Sequence, residues 1–188
     1  NRKVSAAITP TVGLPPIPSA APETTSGPFN TPQSTLPLEN ETPGSSSFPL
    51  SATDFKLCAD GETPNSCSAT SVTIPGEGTY SYNATTRTIT FTPLDTFVGE
   101  ATPIVYQTKD SLNRFVNSTY SPEVLPPPPP AADDVTSTGA FNTAQDPIDV
   151  LLGDTPGDPS APLVPSTLRL CDPSTTPPQT GAACVETS

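Results

Sequence analysis

The amino-acid sequence repeats itself with a period of about 112 residues. Residues 113–130 read NRFVNSTYSPEVLPPPPP, and the chain opens with a second version of this stretch, NRKVSAAITPTVGLPPIP. In this register Arg2 corresponds to Arg114. Further along, after one inserted residue, the triplet Thr-Pro-Gly at 42–44 recurs at 155–157. Such self-similarity indicates an array of similar domains rather than a single compact enzyme.

The period divides the 188 residues into one complete repeat and parts of two others. Proline runs favour the extended polyproline II conformation, which makes linkers between such repeats stiff spacers. Because the sequence starts and stops inside repeats, we expect the native chain to continue past both ends. The predicted organisation is the C-terminal strand of a preceding repeat at 1–13, a Pro-rich linker at 14–21, the complete repeat at 22–125, a polyproline linker at 126–130 and the N-terminal half of the following repeat at 131–188.

Short runs of alternating apolar and polar residues predict β-strands throughout the complete repeat. The clearest are Thr79–Asn83 and Arg87–Thr92, whose short connection predicts a hairpin. No window has the 3.6-residue period of a helix. We therefore predict an all-β fold of tandem β-sandwich repeats joined by Pro-rich linkers. The other predicted strands are Val4–Val12, Thr53–Cys58, Ser71–Ile74, Pro103–Thr108 and Arg114–Val124.

The aromatic residues indicate where a core lies. Ten of the eleven fall between Phe29 and Tyr120, inside the complete repeat. We expect Phe29 and its counterpart Phe141 to pack in the cores of their own repeats. The predicted core of the complete repeat is Phe55, Leu57, Tyr80, Tyr82, Ile89, Phe91, Phe97, Ile104 and Tyr120. In the partial repeat, we expect the apolar residues to face chain outside this numbering: Ile148, Val150, Leu163, Leu168 and Leu170.

The charge excludes several classes of partner. The net charge is −12 with only seven basic residues, so no basic patch exists to bind the phosphates of nucleic acid. An anionic membrane surface is disfavoured for the same reason. No apolar run reaches the length of a transmembrane helix, so we predict no membrane insertion in this segment. A strongly acidic chain rich in Thr, Ser and Pro is typical of a soluble extracellular protein.

The four cysteines occur two to a repeat, Cys58 with Cys67 and Cys171 with Cys184, each pair after the same predicted strand. The loop between them has eight residues in one copy and twelve in the other. That change in length, and the lack of any His, disfavour a zinc site. We predict two disulfides, each within its own repeat, and hence an oxidising compartment.

No catalytic constellation is present, because the chain lacks His, a Ser or Cys beside a base, and a Gly-rich phosphate loop. We therefore predict a non-enzymatic protein without a cofactor or metal site. Three alternatives stay open. A Lys–Asn isopeptide bond would need Lys56 or Lys109, and glycosylation would use the sequons at Asn40, Asn83 and Asn117. Weak calcium binding would use the acidic loop of Asp146, Asp149, Asp154 and Asp158.

Several motifs, in order, resemble a known family. They are CSATSVTIPGEGTY at 67–80, TITFTPLDTFVGEATPIVYQTKDSLNR at 88–114, STYSPEV at 118–124 and GDTPGDPSAPLVPSTLRLCDPSTTPP at 153–178. Together they resemble the CshA-type fibril repeat of Gram-positive bacterial surface adhesins. The resemblance implies a secreted, cell-wall-attached fibre built from tandem β-domains, in which a separate N-terminal region contacts host ligands.

The functional hypothesis is a non-catalytic spacer in the stalk of an extracellular surface fibre, which presents an adhesive tip. Its partners would be neighbouring repeats of the same chain and other fibre chains. The alternative is a binding module, with each repeat recognising a host glycan or matrix protein. A third class, part of a large secreted enzyme, is left open by this segment.

Overall fold

The computed structural model describes residues 2–168, and the chain divides into two units, Asn1–Pro126 and Pro127–Ser188. All the strands of the described residues lie in the first unit. In chain order they are β1 (Glu23–Gly27), β2 (Gln33–Thr35), β3 (Lys56–Leu57), β4 (Ser71–Ile74), β5 (Gly78–Asn83), β6 (Thr88–Pro93), β7 (Gly99–Glu100), β8 (Ile104–Lys109) and β9 (Phe115–Val124).

The strands form two sheets that enclose the core between them. The first sheet has the order β1-β9-β8-β3, with β7 also paired to β9, and the second has the order β2-β6-β5-β4. Every pair of these strands is antiparallel except β1 with β9, which is parallel. The predicted all-β sandwich is confirmed.

Alternation of buried and exposed residues places one face of each main strand in the core. In the hairpin of β5 and β6, the rings of Tyr80 and Phe91 are opposite each other, with centroids 4.7 Å apart. Phe55 joins the two sheets, because it stacks on Tyr82 of the second sheet at 4.0 Å and on Tyr106 of the first at 5.0 Å. Such ring pairs add stabilisation beyond the area they bury.

Most of the predicted core is buried. Phe97 is only partly buried and packs its ring edge-on against Phe91, with centroids 6.2 Å apart. Two residues that were not among the predicted core residues are also buried: Tyr106, which is completely enclosed, and Val124 at the end of β9. The remaining predicted core residues are all buried: Phe55, Leu57, Tyr80, Tyr82, Ile89, Phe91, Ile104 and Tyr120.

Two predicted strands need correction. The stretch Val4–Val12 forms no strand, and Val4 and Val12 are 95% and 92% exposed. An alternating pattern forms a strand only where a partner pairs with it, and the other strands of that repeat are not in this sequence. The predicted strand Thr53–Cys58 shortens to β3. Ser51 Oγ accepts from the amide of Asp54 and is hydrogen-bonded to the hydroxyl of Thr53, and these two bonds hold the preceding residues in a local turn instead.

The described part of the second unit contains turns, a single-turn 3-10 helix at Pro165–Thr167 and no strand. Phe141 is 99% exposed and Phe29 is half-buried, so the expectation that both pack in cores is wrong. Residues 127–168 hold no other aromatic residue for Phe141 to pack against. Of the apolar residues expected to face other chain, Leu163 is half-buried and Leu170 lies outside the described residues. The other three are exposed by 39–46%: Ile148, Val150 and Leu168.

The stacked position of Phe55 generates a prediction about stability. Phe55→Ala should lower the free energy of unfolding by about 3–5 kcal/mol, because it removes the ring that connects the two sheets and leaves a cavity. Phe115→Ala, at a ring that is 38% exposed, is the matched control and should cost far less. Urea unfolding followed by tyrosine fluorescence measures both, and similar losses for the two variants would contradict the assigned core.

Candidate functional site

The first and last strands of the complete repeat lie side by side. Parallel pairing places Glu23 opposite Tyr120 and Gly27 opposite Val124. The pairing continues one residue further, where the amide of Leu125 donates to the carbonyl of Gly27 at 2.8 Å. Because the strands run in the same direction, the chain enters at one end of the pair and leaves at the other.

Side chains fasten this terminal pair to the rest of the sandwich. The hydroxyls of Thr25 and Tyr120 are hydrogen-bonded at 2.8 Å across the two strands. The Gln33 amide donates to the carbonyl of Glu123 at 2.7 Å, and so ties β2 of the second sheet to β9 of the first. The Thr35 hydroxyl donates to Glu23 Oε2, also at 2.7 Å. The first and last strands of the complete repeat are therefore held by both sheets.

The disulfide between Cys58 and Cys67 closes a loop at the opposite edge, between β3 and β4. The buried side chain of Gln107 accepts from the amide of Cys67 at 3.2 Å and donates to its carbonyl at 3.3 Å. Below the disulfide, Leu57 and Ala69 pair through both backbone hydrogen bonds. The loop is thus closed at its base by covalent and hydrogen bonds. Cys171 and Cys184 lie outside the described residues.

Glu62 organises the inside of this loop. Its Oε2 accepts from the amides of Ala59 at 2.9 Å and Ser68 at 3.2 Å, while Oε1 accepts from the Ser68 hydroxyl at 2.5 Å. The Ser68 hydroxyl, followed by the Ala59 amide, lowers the pKa of this exposed carboxyl. The loop is therefore a hydrogen-bonded structure in its own right.

In contrast to Glu62, the carboxyl of Glu41 is buried and has no hydrogen bond. Glu41 is 8% exposed, and neither of its carboxyl oxygens has a partner. Burial is the main cause that raises its pKa, the neighbouring Glu23 adds to the rise, and the net pKa is about 7. The Tyr106 hydroxyl lowers this pKa in part, although the hydrogen bond it makes is to the carbonyl of Ala21, 3.3 Å away.

The alternative chemistries that the sequence left open have little geometric support. The described residues contain no cluster of three or more acidic, His or Cys side chains that would hold a metal ion. In the acidic loop, Asp149 and Asp158 accept from amides two residues further on and so shape local turns, while Asp154 accepts from the amide of Asp133. The side chain of Lys109 is 29% exposed and donates to Asn113 at 3.1 Å, far from the buried setting that an isopeptide bond needs.

The three sequons and Lys56 lie in ordinary structural positions. Asn83 accepts from the amides of Thr85 and Thr86 and so shapes the β5–β6 turn, while Asn117 donates to Asn65 at 2.9 Å. Asn40 is exposed, and Lys56 is half-buried in β3. None of these contacts points to a modification.

The surface of the complete repeat has two grooves that a ligand could enter. One, of about 620 Å³, lies between the disulfide loop, β4 and the start of β8. The other, of about 580 Å³, lies along β1 near Glu100–Pro103. No aromatic side chain lines either groove, so neither offers the ring faces on which a bound sugar stacks.

The family model described as the surface adhesin CshA repetitive domain matches residues 15–124, which is more than half of the chain. The chain belongs to this family. It is therefore a surface adhesin repeat region with an extracellular, cell-surface location, and the family is non-enzymatic in kind. No curated protein matches the chain. Among the described residues, no helix has the length and hydrophobicity to cross a bilayer.

The buried Glu41 predicts a pH dependence of stability. Its pKa is about 7 in the folded state, whereas the ordinary pKa of a Glu carboxyl in the unfolded chain is 4.5. The folded repeat therefore holds this proton more tightly, and the resulting stabilisation is complete below pH 4.5 and lost as the pH rises through 7. Between pH 5 and 8, urea unfolding should show a loss of about 2–3 kcal/mol. Glu41→Gln should remove this loss and the exposed Glu39→Gln should not; an unchanged loss in Glu41→Gln would refute the assignment.

The disulfide loop predicts a second change in stability. Replacing Cys58 and Cys67 together by Ser should lower the free energy of unfolding by about 2.5–3 kcal/mol, the loop-closure value for so short a loop. The matched control replaces Cys171 and Cys184 by Ser and should leave the transition of residues 15–124 unchanged. Urea unfolding without reductant measures both. A loss below about 1 kcal/mol would show that the hydrogen bonds of Gln107 and Glu62 suffice to hold the loop.

Proposed function

We propose that the complete repeat is a mechanical spacer in the stalk of a wall-attached surface fibre, which holds an adhesive region away from the cell. The observation that carries this proposal is the parallel pairing of β1 with β9. It joins the two strands through which tension on a fibre would enter and leave the repeat.

The direction of these strands decides how they respond to tension. Pulling on the two ends of the repeat draws β1 and β9 past each other along their length. All the hydrogen bonds of the five paired residues, Glu23–Gly27 with Tyr120–Val124, then share the load together. If the terminal strands were antiparallel, both pulled ends would lie at the same end of the strand pair. The hydrogen bonds would then break one after another. The observed arrangement therefore resists extension better.

The disulfide lies away from these strands and has a different role. It closes residues 58–67 so that this loop cannot lengthen when the repeat yields. Chain released by an unfolded repeat extends by about 3.3–3.6 Å per residue, so closing the loop shortens the released length. A fibre built this way would lose less of its reach for each repeat that unfolds.

Single-molecule pulling on the full chain through its two ends tests the proposal. The complete repeat should unfold in one event at a distinct force. Tyr120→Phe removes the hydroxyl contact to Thr25 between the two terminal strands, whereas Tyr82→Phe removes a comparable bond to the carbonyl of Ala52. Each should cost about 1 kcal/mol at equilibrium, but only Tyr120→Phe should clearly lower the unfolding force.

Two results would contradict the proposed spacer function. Equal effects of Tyr120→Phe and Tyr82→Phe on the unfolding force would show that the terminal pair does not carry the load. Submicromolar binding of the chain to a host glycan or matrix protein would favour the alternative, a repeat-borne binding module. The lack of aromatic residues in the two grooves supports the spacer over that alternative.

A further inference from the structure

A Pro-rich segment before β1, residues 15–19 with the sequence PPIPS, lies against the complete repeat; we call it the strap. Residues 2–14 are all exposed, whereas Pro18 is buried. The strap ends in a pair of backbone hydrogen bonds. Ser19 donates to the carbonyl of Thr42 at 2.9 Å, and Thr42 donates back at 2.8 Å. The contact with the repeat therefore begins well before the first strand.

Arg114 binds the start of the strap. Its Nη1 donates to the carbonyls of Pro15 at 2.7 Å and Pro16 at 2.8 Å. Proline has no amide hydrogen, so its backbone offers only acceptors, and a guanidinium offers only donors. The two groups are therefore chemically matched, and a single Arg holds two successive prolines.

Asp110 fixes the position of Arg114. Arg114 Nε donates to Asp110 Oδ2 at 2.7 Å, and Nη2 lies 2.6 Å from the same oxygen without a well-aligned hydrogen bond. The other carboxyl oxygen accepts from the amides of Leu112 and Arg114 in the β8–β9 turn. Burial raises the pKa of Asp110, but these hydrogen bonds outweigh it and the net shift is downward. The carboxylate thus stays ionised and orients the guanidinium towards the strap.

Gly44 lets the repeat approach the strap closely. Its φ is +71°, and a Cβ at this position would lie 2.2 Å from the carbonyl oxygen of Pro16 and 2.8 Å from the backbone of Ile17. Any side chain here would push the strap away. Gly61 has a similar φ of +80°, but a Cβ there would meet nothing within 4 Å.

The second unit repeats this arrangement. Ala131 and Thr155 exchange backbone hydrogen bonds of 3.0 and 2.9 Å, as Ser19 and Thr42 do. A Cβ on Gly157, the counterpart of Gly44, would lie 2.3 Å from the carbonyl oxygen of Pro128. The proline run before each repeat therefore contacts the Thr-Pro-Gly triplet of the repeat that follows it.

The strap also continues the line of β1. Glu23 is opposite Tyr120 in the parallel pair, so stepping back six residues along both strands brings residue 17 level with Arg114. This agrees with the bonds from Arg114 to the strap. β1 therefore pairs with the second half of β9, and the strap is bonded to Arg114, directly before the start of β9. The family match, which begins at Pro15, includes the strap in the repeat.

We infer that the proline segment before each repeat is not a free linker but a docked part of the repeat that follows. Its docking site is formed by Arg114, Gly44 and Thr42. In the repeat register Val12 corresponds to Val124, the last residue of β9, so only Gly13 and Leu14 are left between one repeat and the next strap. The consequence for a fibre, a short joint between successive repeats, rests on the proposed spacer function; the docking does not.

Amide hydrogen exchange, measured by NMR on the full 188-residue chain, tests the docking. The Ser19 amide should be protected, because it is held by Thr42 only while the strap is docked. Gly44→Asn should speed its exchange by at least about tenfold, since Asn tolerates positive φ but its Cβ displaces the strap. Gly61→Asn is the matched control and should leave Ser19 unchanged.

Arg114→Lys is an independent variant, because Lys keeps a positive charge beside Asp110 but lacks the planar fork that reaches two carbonyls. It should also speed exchange at Ser19 and leave the amides of β5 and β6 protected. Exchange at Ser19 as fast as at the exposed Ala7 in the unmodified chain would overturn the inference, as would an unchanged Ser19 in Gly44→Asn. A protected Ser19 amide, combined with equal effects of Tyr120→Phe and Tyr82→Phe on the unfolding force, would reject the spacer function and still support the docked strap.

Discussion

The parallel pairing of β1 with β9 is the constraint on which the rest of this repeat depends. It places the two ends of the domain in one sheet, so the seven strands between them must form the remainder of both sheets and return. The chain crosses to the second sheet directly after Gly27, and Gln33 binds back to the backbone of β9 across the gap. The edge of the sandwich is thereby closed by a hydrogen bond between its two sheets.

Buried tyrosines attach the long irregular segments to the sandwich, in a chain with only 32% hydrophobic residues. Four buried tyrosine rings supply apolar area, and each hydroxyl reaches a segment outside the central strands. Tyr80 binds the carbonyl of Thr102, Tyr82 binds that of Ala52, and Tyr106 binds that of Ala21. Tyr120 contacts β1. Burial raises the pKa of all four hydroxyls, so they stay protonated, and those of Tyr80, Tyr82 and Tyr106 donate to the backbone carbonyls.

The fold was predictable from the sequence where a strand has a partner close by along the chain. The hairpin of β5 and β6 shows strict alternation, and its predicted bounds differ by one residue from those observed. β1 has the sequence ETTSG, which carries no apolar alternation, because its stability comes from pairing with β9 almost a hundred residues later. The pattern at Val4–Val12 is stronger, yet it forms no strand without a partner. The docking role of Arg114 was missed as well, although its recurrence at Arg2 was a usable signal.

The differences between the two copies fall where the geometry tolerates them. The segment between the two cysteines has eight residues in the complete repeat and twelve in the following copy. In the complete repeat this loop is closed at its base by the disulfide and by Gln107, so extra residues would lie outside the sandwich. The Thr-Pro-Gly triplet recurs unchanged, because a side chain in place of its glycine would collide with the proline backbone in both copies. The proposed transmission of tension would constrain the repeat along the line from the strap to β9 and would leave it free to vary at the edge that this line does not cross.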